Sequence, residues 1–211
     1  MTKILLNYNV GIFNPKCFYS IMKLDFTGTE TDVFVNIYND FGGPQYSPEG
    51  IEKNEKWRNI IAKKLNKARN VVIKNDYDFM LSVEHDIIAP ENALQELLKH
   101  ATQDRVVGGI YRLRKLRNKE YPLCYLRQDE KGENAGWGQI EDLSVGETFP
   151  VYLVPFGFTL IPRKVLQQLP IFDRELDGSY AIELKKRGIE RLLVSSVKLD
   201  HMDRDGSIYR V

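Results

Sequence analysis

Residues 77–90 read Tyr77-Asp78-Phe79-Met80-Leu81-Ser82-Val83-Glu84-His85-Asp86-Ile87-Ile88-Ala89-Pro90. An apolar run of strand character, Phe79 to Val83, enters an acid-x-acid triplet and then a proline that opens a helical pattern. Strand alternation carried through the triplet puts Glu84 and Asp86 on one face and His85 on the other. Two carboxylates at the carboxyl end of a strand can reach one cation, and ligands of open α/β sheets bind at that edge. The stretch predicts an α/β enzyme with a divalent metal at this strand end. The plain alternative for the triplet by itself is a solvated acidic turn.

Upstream, residues 3–9 form a short first strand, and Asn14-Pro15 supplies a cap and a first helical residue for a helix over 16–24. Residues 32–38, DVFVNIY, are β-branched and aromatic and predict a second strand, ended by Asn39-Asp40-Phe41-Gly42-Gly43-Pro44. Trp57, Ile61, Leu65, Ala68 and Val72 then recur at helical spacing, with lysines on the other face. Downstream, Leu94, Leu97, Leu98 and Ala101 mark a helix over 90–101, and 105–111 a fourth strand. Strand and helix alternate four times, which predicts a mostly parallel central sheet with helices on both faces, a Rossmann-like α/β domain.

The second half is less regular. A strand over 121–127 precedes a polar stretch, 128–150, that carries Gly132, Gly136, Trp137, Gly138 and Gly146 and reads as a long loop able to close over ligands. One or two strands over 151–160, short helices over 162–169 and 178–186 and a last strand over 191–197 complete the chain. The division is one domain with two functional halves, 1–111 and 112–211.

Thirty basic and twenty-nine acidic side chains leave a formal net charge of +1, so no global field favours nucleic acid or an anionic surface. Cys17 and Cys124 lack metal-ligand spacing and predict thiols in a reducing compartment. No stretch has the length and apolarity of a transmembrane segment, and Met1-Thr2-Lys3 runs straight into a strand. These features predict a cytoplasmic protein.

Segments along the chain, in order, resemble the GT-A type of nucleotide-sugar glycosyltransferase, in particular its family 2-like inverting members. They are the strand ends Tyr8-Asn9 and Asn39-Asp40, the helical Ala68-Arg69-Asn70, and Glu84-His85-Asp86 in place of a D-x-D motif. Val107 to Arg112, Phe156 to Pro162 around Gly157, and Leu176-Asp177 followed by Gly188 and His201 continue the match over nearly the whole chain. Two departures stand out: Glu84 replaces the first aspartate, and Leu176 the family's glutamate.

The resemblance implies a metal-dependent transferase that moves a sugar from a nucleotide-sugar donor, a UDP- or GDP-sugar, to an acceptor hydroxyl with inversion. It implies nucleotide-sugar contacts from Tyr8, Asn9, Asn39, Asp40, Arg69, Asn70, Glu84, His85 and Gly157, and Mn2+ or Mg2+ held by Glu84, Asp86 and His201, with Asp86 the main ligand. Asp177 is the expected general base, although aspartate at that position also suits a helix cap. Trp137, between glycines, and Arg112, opening a basic run, are candidates for the acceptor, a glycan, a lipid-linked molecule or a protein. A lipid-linked acceptor would bring the protein to a membrane surface. A retaining transferase, a sugar-phosphate nucleotidyltransferase and a non-catalytic nucleotide- or carbohydrate-binding module are the alternatives.

Overall fold

A computed structural model describes residues 1–11, 13–37, 50–112, 125–139, 143–144, 148–172, 177–203 and 206–211, with the backbone alone over 50–57. Strand β1 (Thr2–Val10) is buried from Ile4 onward on both faces, the pattern of a strand covered from two sides. Helix α1 (Pro15–Met22) starts at the expected signal: Asn14 Oδ1 accepts the amides of Lys16 and Cys17 at 3.0 and 3.4 Å, and Pro15 occupies a first-turn position that needs no N–H. Then come β2 (Thr29–Ile37), α2 (Gly50–Lys74), β3 (Phe79–Glu84), β4 (Ile87–Ile88), α3 (Ala93–His100) and β5 (Arg105–Ile110). The second half adds β6 (Leu126–Gln128), β7 (Asn134–Trp137), β8 (Thr148–Leu153), β9 (Phe158–Pro162), α4 (Arg163–Gln168), α5 (Asp177–Lys186), β10 (Glu190–Lys198), β11 (Asp200–Met202) and β12 (Ile208–Tyr209). Gly188 stops α5 at φ +64, where its amide bonds the Lys185 carbonyl and that of Ile189 the Leu184 carbonyl.

Nine strands pair in the order β2-β1-β3-β9-β5-β10-β8-β6-β7, and β12-β11-β4 form a second sheet. β2, β1, β3, β5 and β10 run in one direction, and β9 is inserted antiparallel between β3 and β5. Helices α2, α4 and α5 cover one face around Leu65, Met80, Ile161 and Leu184. Helices α1 and α3 cover the other around Ile21, Leu81, Leu97 and Leu160. The central sheet is therefore the mostly parallel, doubly covered one that the alternation of elements predicts, with β9 reversed inside it and an antiparallel β8-β6-β7 edge added beyond β10, neither of which alternation predicts.

Two expectations need correction. β2 begins at Thr29, ahead of the β-branched run, because its pairing with β1 extends from Thr2↔Thr29 to Val10↔Ile37 and overrides local composition. The stretch 128–150 is not one loop: it contains the β6–β7 hairpin and the start of β8. Asp129 makes that hairpin turn by accepting the amides of Lys131 and Glu133 at 2.9 and 2.8 Å, with Gly132 at φ +73. Strands of three and four residues are too short to leave a readable period.

Gly108 and Gly109 face opposite sides of β5. A Cβ on Gly109 would lie 2.7 Å from Leu199 Cδ1, 2.8 Å from Val197 Cγ1 and 3.1 Å from the Val197 carbonyl, so β10 packs on bare backbone here. Gly109→Ala is expected to lower unfolding stability by about 1–3 kcal/mol through overpacking. The check is a lower urea midpoint at an unchanged denaturant slope.

Candidate functional site

Register places a row of buried polar residues across the α2-covered face of the sheet. Asn9 pairs with Asn36 on β2 and with Glu84 on β3, Asn7 pairs with Ser82, Ser82 with Thr159, and Thr159 with Gly108. Asn36 Nδ2 donates to Asn7 Oδ1 and, at 3.5 Å, to the Lys64 carbonyl; Asn7 Nδ2 donates to Asn9 Oδ1 at 3.4 Å. The Lys64 carbonyl can only accept, so it sets the direction of the chain of amides, and Asn9 presents its amide donor beside Glu84 at the carboxyl edge.

The segment entering β9 reaches the same edge. The Glu84 amide donates to the Gly157 carbonyl at 3.0 Å. The Phe156 backbone hydrogen-bonds the Asp177 carboxylate at the start of α5, and Arg58 on α2 acts on that carboxylate as a nearby cation. Phe156, Phe172 and Tyr180 form an aromatic cluster with ring centroids 5.1–5.3 Å apart beside it. Burial against this wall pushes the Asp177 carboxyl up to about 7, while the Phe156 bond and Arg58 pull it back only in part.

Asp86 and His201 form the other half of the site. Both are buried, with His201 Nε2 3.4 Å from Asp86 Oδ2. His201 Nδ1 lies 2.7 Å from the Arg112 carbonyl, an acceptor only, so Nδ1 carries a proton, and in the neutral ring Nε2 presents its lone pair to Asp86. Two acceptor atoms facing each other suit a shared cation, and a carboxylate with an imidazole is a donor set that manganese accepts. Among the described residues no group of three or more His, Cys, Asp or Glu has metal-binding geometry. Tyr111 packs edge-on to His201 at 5.3 Å, and a Cβ on Gly157 would overlap the Tyr111 hydroxyl and ring. Gly157 is thereby the contact between the two halves.

No protein-family model matches the chain, and no curated protein sequence matches it. Solved structures do. A197 from STIV superposes with a TM-score of 0.62 at 17% identity over 100% of this chain and 94% of that one. GalNAc-T7, crystallised with UDP, GalNAc and Mn2+, superposes with a TM-score of 0.56 at 12% identity over 96% of this chain. The fold is that of the GT-A glycosyltransferases. The chain spans 44% of the GalNAc-T7 chain.

Within this GT-A frame the structure brings together Asn9 with Glu84, Asp177 with Phe156 and Arg58, and Asp86 with His201. Other expected site residues lie elsewhere. β3 ends at Glu84, so His85 and Asp86 sit in a turn, and Asp86 reaches His201 through the small sheet rather than by strand alternation. Glu84, expected to share the metal with them, stands in register with Asn9 instead. Tyr8 points to the opposite face from Asn9, its ring buried against Phe18, and burial pushes its phenol well above its ordinary range.

Arg69 donates to the carbonyls of Leu166 and Leu169 at 2.9 and 3.1 Å, which commits its guanidinium to the end of α4. Its neighbour Asn70 is exposed on α2. Arg58 lies three helical turns earlier, about 16 Å along the axis, and is the α2 cation that meets the site. Trp137 is exposed on β7, the sheet edge, with β9, β5, β10, β8 and β6 between it and β3. Arg112 donates Nε to the Arg210 carbonyl at 2.8 Å. Asn39 and Asp40 lie outside the described residues, as do Leu176 and Glu175. The sequence reading passed over Asn7, Asn36 and Arg58; asparagines within apolar strand runs were the available signal for the first two.

The folded pKa of Asp177 lies above its unfolded value, so the folded state holds the proton more tightly and the ionised carboxyl costs stability. That cost is absent below the unfolded pKa near 3.8 and complete above about 7. Asp177→Asn is expected to stabilise the protein at pH 8 by on the order of 1 kcal/mol, with the gain vanishing as pH falls to 4. Urea midpoints for both proteins across this range provide the check.

Proposed function

We propose that this protein is a metal-dependent glycosyltransferase that moves a sugar from a UDP- or GDP-sugar to an acceptor hydroxyl with inversion. The observation that carries the proposal is the Asp86–His201 pair, its imidazole lone pair turned to the carboxylate, at the carboxyl edge of a GT-A sheet. The presence of UDP and Mn2+ in the GalNAc-T7 structure supports it. Asp86 and His201 would hold Mn2+ or Mg2+, which supplies Lewis-acid stabilisation to a diphosphate leaving group.

The chain's own residues account for the remaining tasks. Asn9 and Glu84, in register at this edge, suit ribose hydroxyls or the carbonyl and N–H groups of a base, donor and acceptor respectively. Arg58 offers a fixed positive charge for the diphosphate. Asp177, with its carboxyl raised to about 7, is matched to take a proton from an attacking hydroxyl near neutral pH. A hydroxyl deprotonated on the face opposite the leaving group attacks directly, which inverts the anomeric carbon. The acceptor, a glycan, a lipid-linked molecule or a protein, would approach on the Asp177 side.

Nucleoside diphosphate binding is expected to strengthen with Mn2+, with Asp86→Ala losing more of that gain than Glu84→Ala because only Asp86 faces His201. Equal affinity in manganese and in excess chelator would refute the metal role. For the base, kcat/KM for transfer should rise with pH and level off above about 7, the value to which the Asp177 carboxyl is raised. Asp177→Asn keeps the side-chain shape and donor binding while transfer falls by roughly a hundredfold or more. Transfer within a few-fold of wild type in that variant would remove Asp177 from the mechanism.

A further inference from the structure

We infer that the C-terminal hairpin β11–β12, tied down by Arg112, is a positioning device that presets the tautomer and direction of His201. The inference rests on the metal reading of Asp86 and His201 given above. His201 belongs to the middle strand of the small sheet, in register with Ile87 on one side and Tyr209 on the other. The Ile87 side joins it to Asp86, whose carbonyl accepts the Met202 amide at 2.8 Å. The Tyr209 side joins it to the last residues of the chain.

Two further contacts close a ring around the imidazole. The Arg112 carbonyl takes the Nδ1 proton at 2.7 Å, and the Arg112 side chain donates to the Arg210 carbonyl at 2.8 Å. Arg210 in turn lies 3.5 Å from Asp200 Oδ2, across the hairpin and one residue before His201. The hairpin turn is closed by Gly206 at φ +87, whose amide bonds the Asp203 carbonyl at 3.0 Å, and by the Asp203 amide on the Ser207 carbonyl at 2.7 Å. One arginine thus uses its backbone to choose the protonated nitrogen of His201 and its side chain to anchor the strand that flanks it. With Nδ1 committed, only Nε2 is left to face Asp86, so the pair is set before any ligand arrives.

The test compares wild type with Arg112→Ala, Arg112→Gln, His201→Ala and a chain lacking residues 207–211. Mn2+ affinity is read by electron paramagnetic resonance in the presence of UDP, and the His201 tautomer by nitrogen NMR on metal-free protein. Arg112→Ala should lose about tenfold or more in Mn2+ affinity and show mixed His201 tautomers. Arg112→Gln keeps a donor for the Arg210 carbonyl and should stay within about threefold of wild type. Removal of 207–211 takes away the same acceptor without touching Arg112 and should reproduce the loss, which keeps the test open if Arg112→Ala does not fold. Wild-type Mn2+ affinity and a single tautomer in the shortened chain or in Arg112→Ala would overturn the inference. If His201→Ala itself binds Mn2+ like wild type, the metal reading fails; if it loses Mn2+ while the shortened chain does not, only the positioning role fails.

Discussion

The hydrogen bond from the Glu84 amide to the Gly157 carbonyl, 3.0 Å long, is the constraint on which the site depends. It extends the antiparallel β3–β9 ladder one step past its last paired residues, Val83 and Phe158. Because β9 runs against its neighbours, the chain enters it from the edge where the parallel strands end. A parallel strand in the same slot would enter from the opposite edge and carry Phe156 and Gly157 away from Glu84. The reversal of this one strand brings a backbone donor to Asp177 and a Cβ-free position to Tyr111.

That arrangement gives two carboxyls contrasting surroundings within one edge. Asp177 lies against an aromatic wall with a single backbone donor and the Arg58 guanidinium as its only counterweights, so desolvation dominates and its proton is held to about 7. Asp86 instead faces an imidazole nitrogen whose lone pair is turned to it by the Arg112 carbonyl. A carboxyl kept partly protonated near neutrality suits proton transfer, and a carboxylate beside an imidazole nitrogen suits a cation. The two sit on opposite faces of the sheet, and the Gly157–Tyr111–His201 contact is the packing that joins them.

Much of this was legible in the sequence because alternation of strand and helix is written in periodicity. β1, α1, β3, α3, β5 and α5 fall close to their predicted places, and Asn14-Pro15 marks a helix start for the physical reason expected of it. The errors have causes of the same kind. Tyr8 and Asn9 are adjacent on a strand and cannot both face the same side of the sheet, yet a two-residue motif treats them as a unit. Arg69 and Arg58 lie eleven residues apart on one helix face, and only the direction of α2, which runs away from the edge, decides which of them meets the site. Trp137 depends on strand order across the sheet, which no local pattern encodes. His201 was legible only as a position in a motif; its tautomer depends on a carbonyl 89 residues away in the chain.

The asparagines of β1 and β2 show why fold and site are specified together. A polar side chain in a sheet interior costs stability unless its hydrogen bonds are met, and a valine at Asn7 or Asn36 would avoid that cost. Here each amide meets the next, from the Lys64 carbonyl through Asn36 and Asn7 to Asn9, so the expense is largely offset within the row. A one-residue slip of β1 would drive Asn7 and Asn9 into the aliphatic core beside α1 and turn Leu6 and Tyr8 onto the polar row. The alignment of β1 with β2 and β3 is therefore fixed by the same side chains that deliver an amide donor to the carboxyl edge beside Glu84. A change that weakened the row would misplace the strand before it altered any contact with a ligand.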